Sequence, residues 1–309
     1  MLYLNDIKKY IPKTQSIFEL SHRYGLSEME LNIYHRLYGL DRIPVSDEPF
    51  DDITVQYCEQ LLEDNNVDRT DVKLLIFCHT VSQFQPFSQT WLTSLKTRLG
   101  LDNAIVFGMN TNKCANPSFA LDIINTLIGD CPSNKAIILT SDVAHNKEAQ
   151  IIKDSTILGD AFALSLYSRE EKGFELVSNT KKVYGQHAAC SWEEGETLTE
   201  FQDEYATRLS ETLSEALELA DTSYDQIKAI VPHNVNIISW KRVADASGFP
   251  SSKIYFKNIA KTAHCFGSDT FINLESMLLD DLLERGDLLL SGNAGLGATF
   301  NGILWRYVG

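Results

Sequence analysis

What this chain lacks narrows it first. It has no Cys-x-x-Cys pair, and its six cysteines (Cys58, Cys78, Cys114, Cys131, Cys190 and Cys265) show no Cys/His spacing suited to zinc. They read as the reduced thiols of a cytoplasmic protein. No run approaches the roughly 18 consecutive apolar residues that a membrane span requires. The opening MLYLNDIKKYIPK has neither the basic start nor the apolar stretch of a secretory signal. Basic residues are scarce, 27 Lys and Arg against 42 Asp and Glu, for a net charge of −15. A field of that sign repels polyanions, which argues against nonspecific binding to nucleic acid or an anionic membrane. An acidic partner has to dock on a local basic patch. With 8 prolines and 17 glycines there is no long Pro/Gly linker, and no segment is of low complexity. What remains is an ordinary enzyme composition, 44% hydrophobic and 22% charged. At 309 residues, and roughly 150 per domain, the chain holds about two domains' worth of core and needs no staples.

Short apolar runs read as strands buried on both faces: 73–78, 104–109, 135–140, 161–167, 228–233, 253–256, 287–291 and 302–307. Between them, 52–66, 115–128, 195–221, 235–246 and 270–285 carry apolar residues at helical spacing. Strand and helix alternate, which argues an α/β layered fold. The polar stretch SREEKG (168–173) is the best internal seam. Two parts of similar size lie on either side of it, without a residue-level repeat.

Four features could carry chemistry. Cys114 follows the strand AIVFGM by a few residues and opens the helical stretch CANPSFALDIINTLI, where backbone N–H groups and the helix dipole favour a thiolate. Pro117 suits a first turn. His233 ends the strand AIVPH and is followed by Asn234 and Asn236, a position where open α/β sheets put functional side chains. The residue types leave open whether it acts or caps the next helix. His264 lies in KTAHCFGSD (261–269), between a strand region and a helix. The glycine-rich turn GNAGLGATF (292–300) joins two apolar strands and could equally be a tight connection.

In this order the four features resemble the thiolase-fold condensing enzymes, specifically the 3-oxoacyl-[acyl-carrier-protein] synthase III family. TNKCANPSFAL resembles the nucleophile segment and ILTSDVA (138–144) the strand after it. ILGDAFALSL (157–166) resembles the family's Gly-Asp-Gly-Ala strand, and GLGATFNGILWRY (295–307) its closing pair. The resemblance implies a layered αβαβα fold of two similar halves, residues 1–170 with the nucleophile and 171–309 with the two histidines. It makes Cys114 the acyl acceptor and His233 and His264 the polar groups beside it. Backbone amides of Cys114 and Leu296 would form the oxyanion hole. His264 departs from the family's usual Asn, and TAHCFG looks more like the Thr-Gly-His-x-x-Gly of the elongating synthases. NIYHRLYGLDRI (32–43) aligns with a family segment whose tryptophan stacks on coenzyme A, yet no tryptophan precedes Trp91. A carrier-protein thioester is therefore expected over coenzyme A as donor.

The activity so implied is acyl transfer through a Cys114 thioester, with carbon–carbon condensation ranked first. A same-fold acyltransferase making esters or amides comes second, and a non-catalytic ketosynthase partner subunit third. Neither a dissociable cofactor nor a metal is implied. The resemblance also implies a homodimer that trades the aromatic loop 77–91 into its partner, with Phe84 and Phe87 in the substrate tunnel. An acyl carrier protein would dock on Lys241, Arg242, Lys253, Lys257 and Lys261, a basic stretch whose one acid is Asp245.

Overall fold

The computed structural model describes residues 1–81, 90–188 and 196–309. Nine strands form the main sheet: β1 Tyr3–Tyr10, β2 Val72–Cys78, β3 Ile105–Met109, β4 Lys135–Asp142, β5 Ala161–Ser168, β6 Phe174–Val183, β7 Ile227–Pro232, β8 Leu288–Gly295 and β9 Thr299–Tyr307. Among the described residues, the helices that pack on it include α1 Asp51–Asp64, α2 Thr90–Arg98, α3 Asn116–Leu127, α4 Glu196–Glu218, α5 Ile237–Ser247 and α6 Asp269–Leu279. The strand order is β7-β8-β9-β6-β1-β5-β4-β2-β3. In the first half β2 runs parallel to β3 and β4, and β5 and β1 follow antiparallel. In the second half β7 runs parallel to β8, and β9 and β6 follow antiparallel. The two halves thus have one topology. They touch along β1 and β6 over two residue pairs only, Tyr3 with Glu175 and Leu4 with Phe174.

Apolar side chains sort the rest into five layers. The outer face of the first half-sheet is covered by α1 and α2, through Cys58, Leu61, Leu62, Leu92, Leu95 and Leu99. The outer face of the second is covered by α4 and α5, through Leu209, Leu213, Trp240 and Val243. Between the half-sheets lie α3 and α6, whose Leu121, Ile124, Phe271 and Leu274 meet Ile76, Ile138, Leu289 and Trp305 in one core. The result is αβαβα. Among the described residues, no helix is long and apolar enough to cross a membrane.

Several sequence expectations need correction. Residues 253–256 are not a strand. Pro250 and two serines start a short turn, Ser251–Lys253, and only a single parallel bridge from Ile254 to Ile230 reaches the edge of β7. That bridge stands where β3 stands in the first half. β3 itself is an outer strand with Ile105 60% exposed, not a strand buried on both faces. The last helix stops at Leu279, six residues before the predicted end, because the polar run from Asp280 leaves the core. β1 and β6 were missed because lysines and other polar residues interrupt their apolar pattern. Thr14–Ser16 pairs with Arg42–Pro44, and the helix Glu28–Arg36 starts from a Ser27/Glu30 capping box. These N-terminal pieces pack Ile17, Leu31 and Ile43 against Ile157, Ile259 and Ala263, directly beneath the His264 loop.

The junction of the halves is sterically tight at Gly173. Its φ is +76°, and a Cβ there would lie 2.2 Å from the Leu4 carbonyl oxygen. Gly25, at φ +67°, has nothing within 4 Å of its Cβ position. Gly173→Ala is therefore expected to cost about 2–4 kcal/mol and Gly25→Ala about 1 kcal/mol in denaturant unfolding. Equal costs would show that Leu4 yields without strain.

Candidate active site

The parallel strands of both halves end on one side of the molecule, and the candidate residues gather there. Cys114 sits in a 3-10 turn, Lys113–Ala115, that runs into α3 with Pro117 at its start. Asn116 ties this turn down: its amide donates to the carbonyls of His79 (3.0 Å) and Lys113 (2.7 Å), and its Oδ1 accepts from the Asn112 N–H. Beside it, Asp142 at the end of β4 accepts the N–H groups of Thr80 and Val81, both at 2.8 Å. Thr80 Oγ1 then lies 3.6 Å from Cys114 Sγ. Cys114 is 6% exposed and packs with Ala144, Leu158 and Phe266, an apolar wall suited to an acyl chain.

His264 comes from the other half. Its N–H bonds to the Ile157 carbonyl, and its carbonyl accepts from the Gly159 N–H, so the Gly-Asp strand start braces it. Its Nε2 is 3.5 Å from Cys114 Sγ and its Nδ1 is 2.5 Å from Asp269 Oδ2. Burial alone would push this imidazole down, but the Asp269 carboxylate, with the Cys114 sulfur next, lifts it to about 10. Cys114 therefore has a cationic neighbour that can give and take a proton. His233 lies with its ring centroid 5.6 Å from that of His264. Burial, and then the His264 charge, hold it well below the ordinary value, so it is neutral. It does not cap α5; Asn236 does, accepting from the Ser239 N–H at 2.6 Å. Non-glycine residues at positive φ flank the reacting groups: Lys113 at 52°, Ala263 at 50° and Phe266 at 52°. Each costs on the order of 1–3 kcal/mol and survives only where the surroundings fix it.

The glycine-rich hairpin also belongs here. A Cβ on Gly295 would fall 2.2 Å from the Asn112 carbonyl oxygen, so only glycine lets the end of β8 approach the Cys114 turn this closely. Leu296 follows it in the turn, and Asn301 donates to the Ala115 carbonyl. Phe84 and Phe87 lie outside the described residues. Of the basic stretch, Lys253 is committed to the carbonyls of Tyr224 and Asp225 and Lys257 to Asp280, which are local structural partners. Lys241, Arg242 and Lys261 are exposed. The sequence reading missed Asp269, Thr80, Asp142 and Tyr205, whose hydroxyl bonds to His233 Nε2. Asp269 was within reach, being five residues after His264 at a helix start.

Residues 217–307 match the family model for the C-terminal part of 3-oxoacyl-[acyl-carrier-protein] synthase III. The chain is 21% identical over 263 residues to the beta-ketoacyl-[acyl-carrier-protein] synthase III of Aquifex aeolicus, covering 82% of this chain and 83% of that one. It is 24% identical over 287 residues to that of Clostridium perfringens, covering 86% and 87%. Among solved structures, ChlB3, described as an acyltransferase, superposes with a TM-score of 0.86 at 17% identity, over 99% of this chain and 98% of that one. The Aquifex aeolicus synthase III gives 0.81 at 17% identity, over 99% and 100%. Xanthomonas campestris OleA, solved with lauric acid and lauroyl-CoA, gives 0.82 at 15%, over 99% and 98%. The fold is therefore the one that these thiolase-fold enzymes share. Within it, the family match and the curated relatives support a divergent member of the 3-oxoacyl-[acyl-carrier-protein] synthase III-like family.

The pairing of His264 with Asp269 sets a pH dependence. The folded value, about 10, lies above the ordinary 6.5, so its stabilisation is complete below pH 6.5 and is lost as pH rises through 10. Asp269→Asn should cost about 3–5 kcal/mol at pH 6 by stranding the buried imidazole. The gap to the native protein should narrow as pH rises through 10. A gap that stays constant in denaturant titrations across this range would mean that the two groups are not an ion pair.

Proposed function

We propose that the chain transfers an acyl group, through a Cys114 thioester, from a carrier-bound donor to a hydroxyl or amine acceptor. The observation that carries this is the file Cys114–His264–Asp269, in which a carboxylate orients the imidazole that faces the sulfur. In the first half-reaction Cys114, whose proton His264 already holds, forms a bond from its sulfur to the donor carbonyl carbon. The carbon–sulfur bond to the carrier then breaks, and the cationic His264 gives its proton to the departing thiol and is left neutral. In the second, His264 takes the acceptor's proton as the acceptor attacks, and Cys114 is expelled. Backbone N–H groups at Cys114 and Leu296 serve the tetrahedral oxyanion of both steps.

Carbon–carbon condensation is the second reading. Its support is the likeness to beta-ketoacyl-[acyl-carrier-protein] synthases III and the two imidazoles 5.6 Å apart, one of them facing the sulfur. Nothing favours a non-catalytic role. The carrier would dock on Lys241, Arg242 and Lys261, since attraction to an acidic partner acts only within about 8 Å at physiological salt. A second copy would add to the open edge of β3, where Ile105 is exposed.

Two experiments test these assignments. Intact-mass analysis with acyl-carrier donors should show one acyl group on the native chain and none on Cys114→Ala, while Cys78→Ala, Cys131→Ala and Cys265→Ala retain it. Uptake by the Cys114 variant refutes the nucleophile. Lys241→Glu with Arg242→Glu should raise KM for the carrier-bound donor roughly tenfold, from about 1.4 kcal/mol of lost charge attraction, and spare a short thioester analogue. Equal losses with both donors would assign these residues to the fold.

A further inference from the structure

His233 has a single hydrogen to give. Its Nδ1 accepts the Ala294 N–H at 3.3 Å, and a neutral imidazole that accepts at Nδ1 carries its hydrogen on Nε2. That hydrogen goes to the hydroxyl of Tyr205 on α4. The arrangement is built, not incidental. The phenol and imidazole rings lie 6° from parallel with centroids 6.1 Å apart, and Phe201 and Phe300 hold the phenol edge-on at 5.9 and 5.8 Å. On the other side, Trp240 donates to the His233 carbonyl at 2.8 Å and meets its ring at 86°. Burial pushes the Tyr205 phenol far above its usual value, with Cys114 adding to the effect, so the hydroxyl keeps its proton.

The two chemistries open to an acyl-Cys114 ask different things of this corner. A malonyl-type extender breaks its bond to the carboxyl carbon and releases carbon dioxide. The electron pair then moves onto the thioester oxygen, where it needs hydrogen-bond donors aimed at it. His264 Nε2 faces the sulfur, and the N–H of His233 is already spent on Tyr205. A hydroxyl or amine acceptor generates no enolate. It needs a base, which His264 supplies, and a hydrogen bond to orient it, which the phenol O–H can give.

We propose that Tyr205 is the specificity-determining residue for the second substrate, holding His233 Nε2 so that the site refuses an enolate and receives a hydroxyl or amine. This deepens the acyl-transfer reading and rests on it, but its test needs no acylated Cys114. Malonyl-N-acetylcysteamine is supplied without an acyl donor, and its conversion to acetyl-N-acetylcysteamine and carbon dioxide, with a solvent proton replacing the carboxyl group, is followed. Tyr205→Phe loses one oxygen and keeps the ring contacts. It should decarboxylate this probe about a hundredfold faster than the native chain, the lower range of what one donor to a developing oxyanion contributes. In parallel, the NMR signal of the His233 Nε2 hydrogen should lie far downfield in the native chain and move upfield in the variant. The proposal falls if the variant is no faster, if the native chain already matches it, or if that signal does not move. A native chain that never gains acyl mass would sink the acyl-enzyme reading and leave this comparison to judge Tyr205 separately.

Discussion

A carboxylate with no exposure to water has to be answered by donors, and Asp269 is answered from three directions. His264 Nδ1 and the Asn234 N–H both lie 2.5 Å from its Oδ2, and the Cys265 N–H lies 2.8 Å from its Oδ1. It is also the first residue of α6, where the helix dipole favours a negative charge. A buried charge left without such partners would cost several kcal/mol. Satisfying it therefore forces the segment after β7 and the segment before α6 into one arrangement. The positive φ angles of Ala263 and Phe266 belong to that arrangement. So does the opposite bias of the two imidazoles, one charged beside the carboxylate and the other neutral beside that charge.

The reacting groups are divided between the halves. The sulfur comes from the end of the first half's strands, and both imidazoles, the carboxylate and the phenol come from the second. What aligns them is the middle layer, where α3 and α6 share one apolar core. The N-terminal segment has a structural task of its own, since its Ile17, Leu31 and Ile43 fill the space under the His264 loop.

Much of this was legible in the sequence. Fully buried strands such as Ala161–Ser168 announce themselves because both faces are apolar, and so does α3, which starts at a proline and is apolar on the face between the sheets. Cys114 and His233 could be marked because each stands where a strand leads into a helix, and His264 because it stands just before one, although the strand expected ahead of it is a turn. β1 and β6 could not, since each is partly exposed and its lysines break the apolar pattern. Residues 253–256 read as a strand from their composition, yet a proline-started turn left only Ile254 at the sheet edge. Tyr205 was hidden for another reason. It lies in a long, acidic amphipathic helix, and only tertiary packing reveals that its hydroxyl meets an imidazole 28 residues away in sequence.

The thin contact between β1 and β6, two residue pairs wide, bears on what this protein would lose first under stress. Each half-sheet carries its own ladder of hydrogen bonds and its own outer helices, so neither depends on that seam for its backbone order. The sulfur and the imidazoles do depend on the halves staying in register, because no single half holds both. A small slip between them would disarm the chemistry while leaving the circular-dichroism spectrum almost intact. Inactivation and melting would then be separate events on a heating curve, with inactivation first.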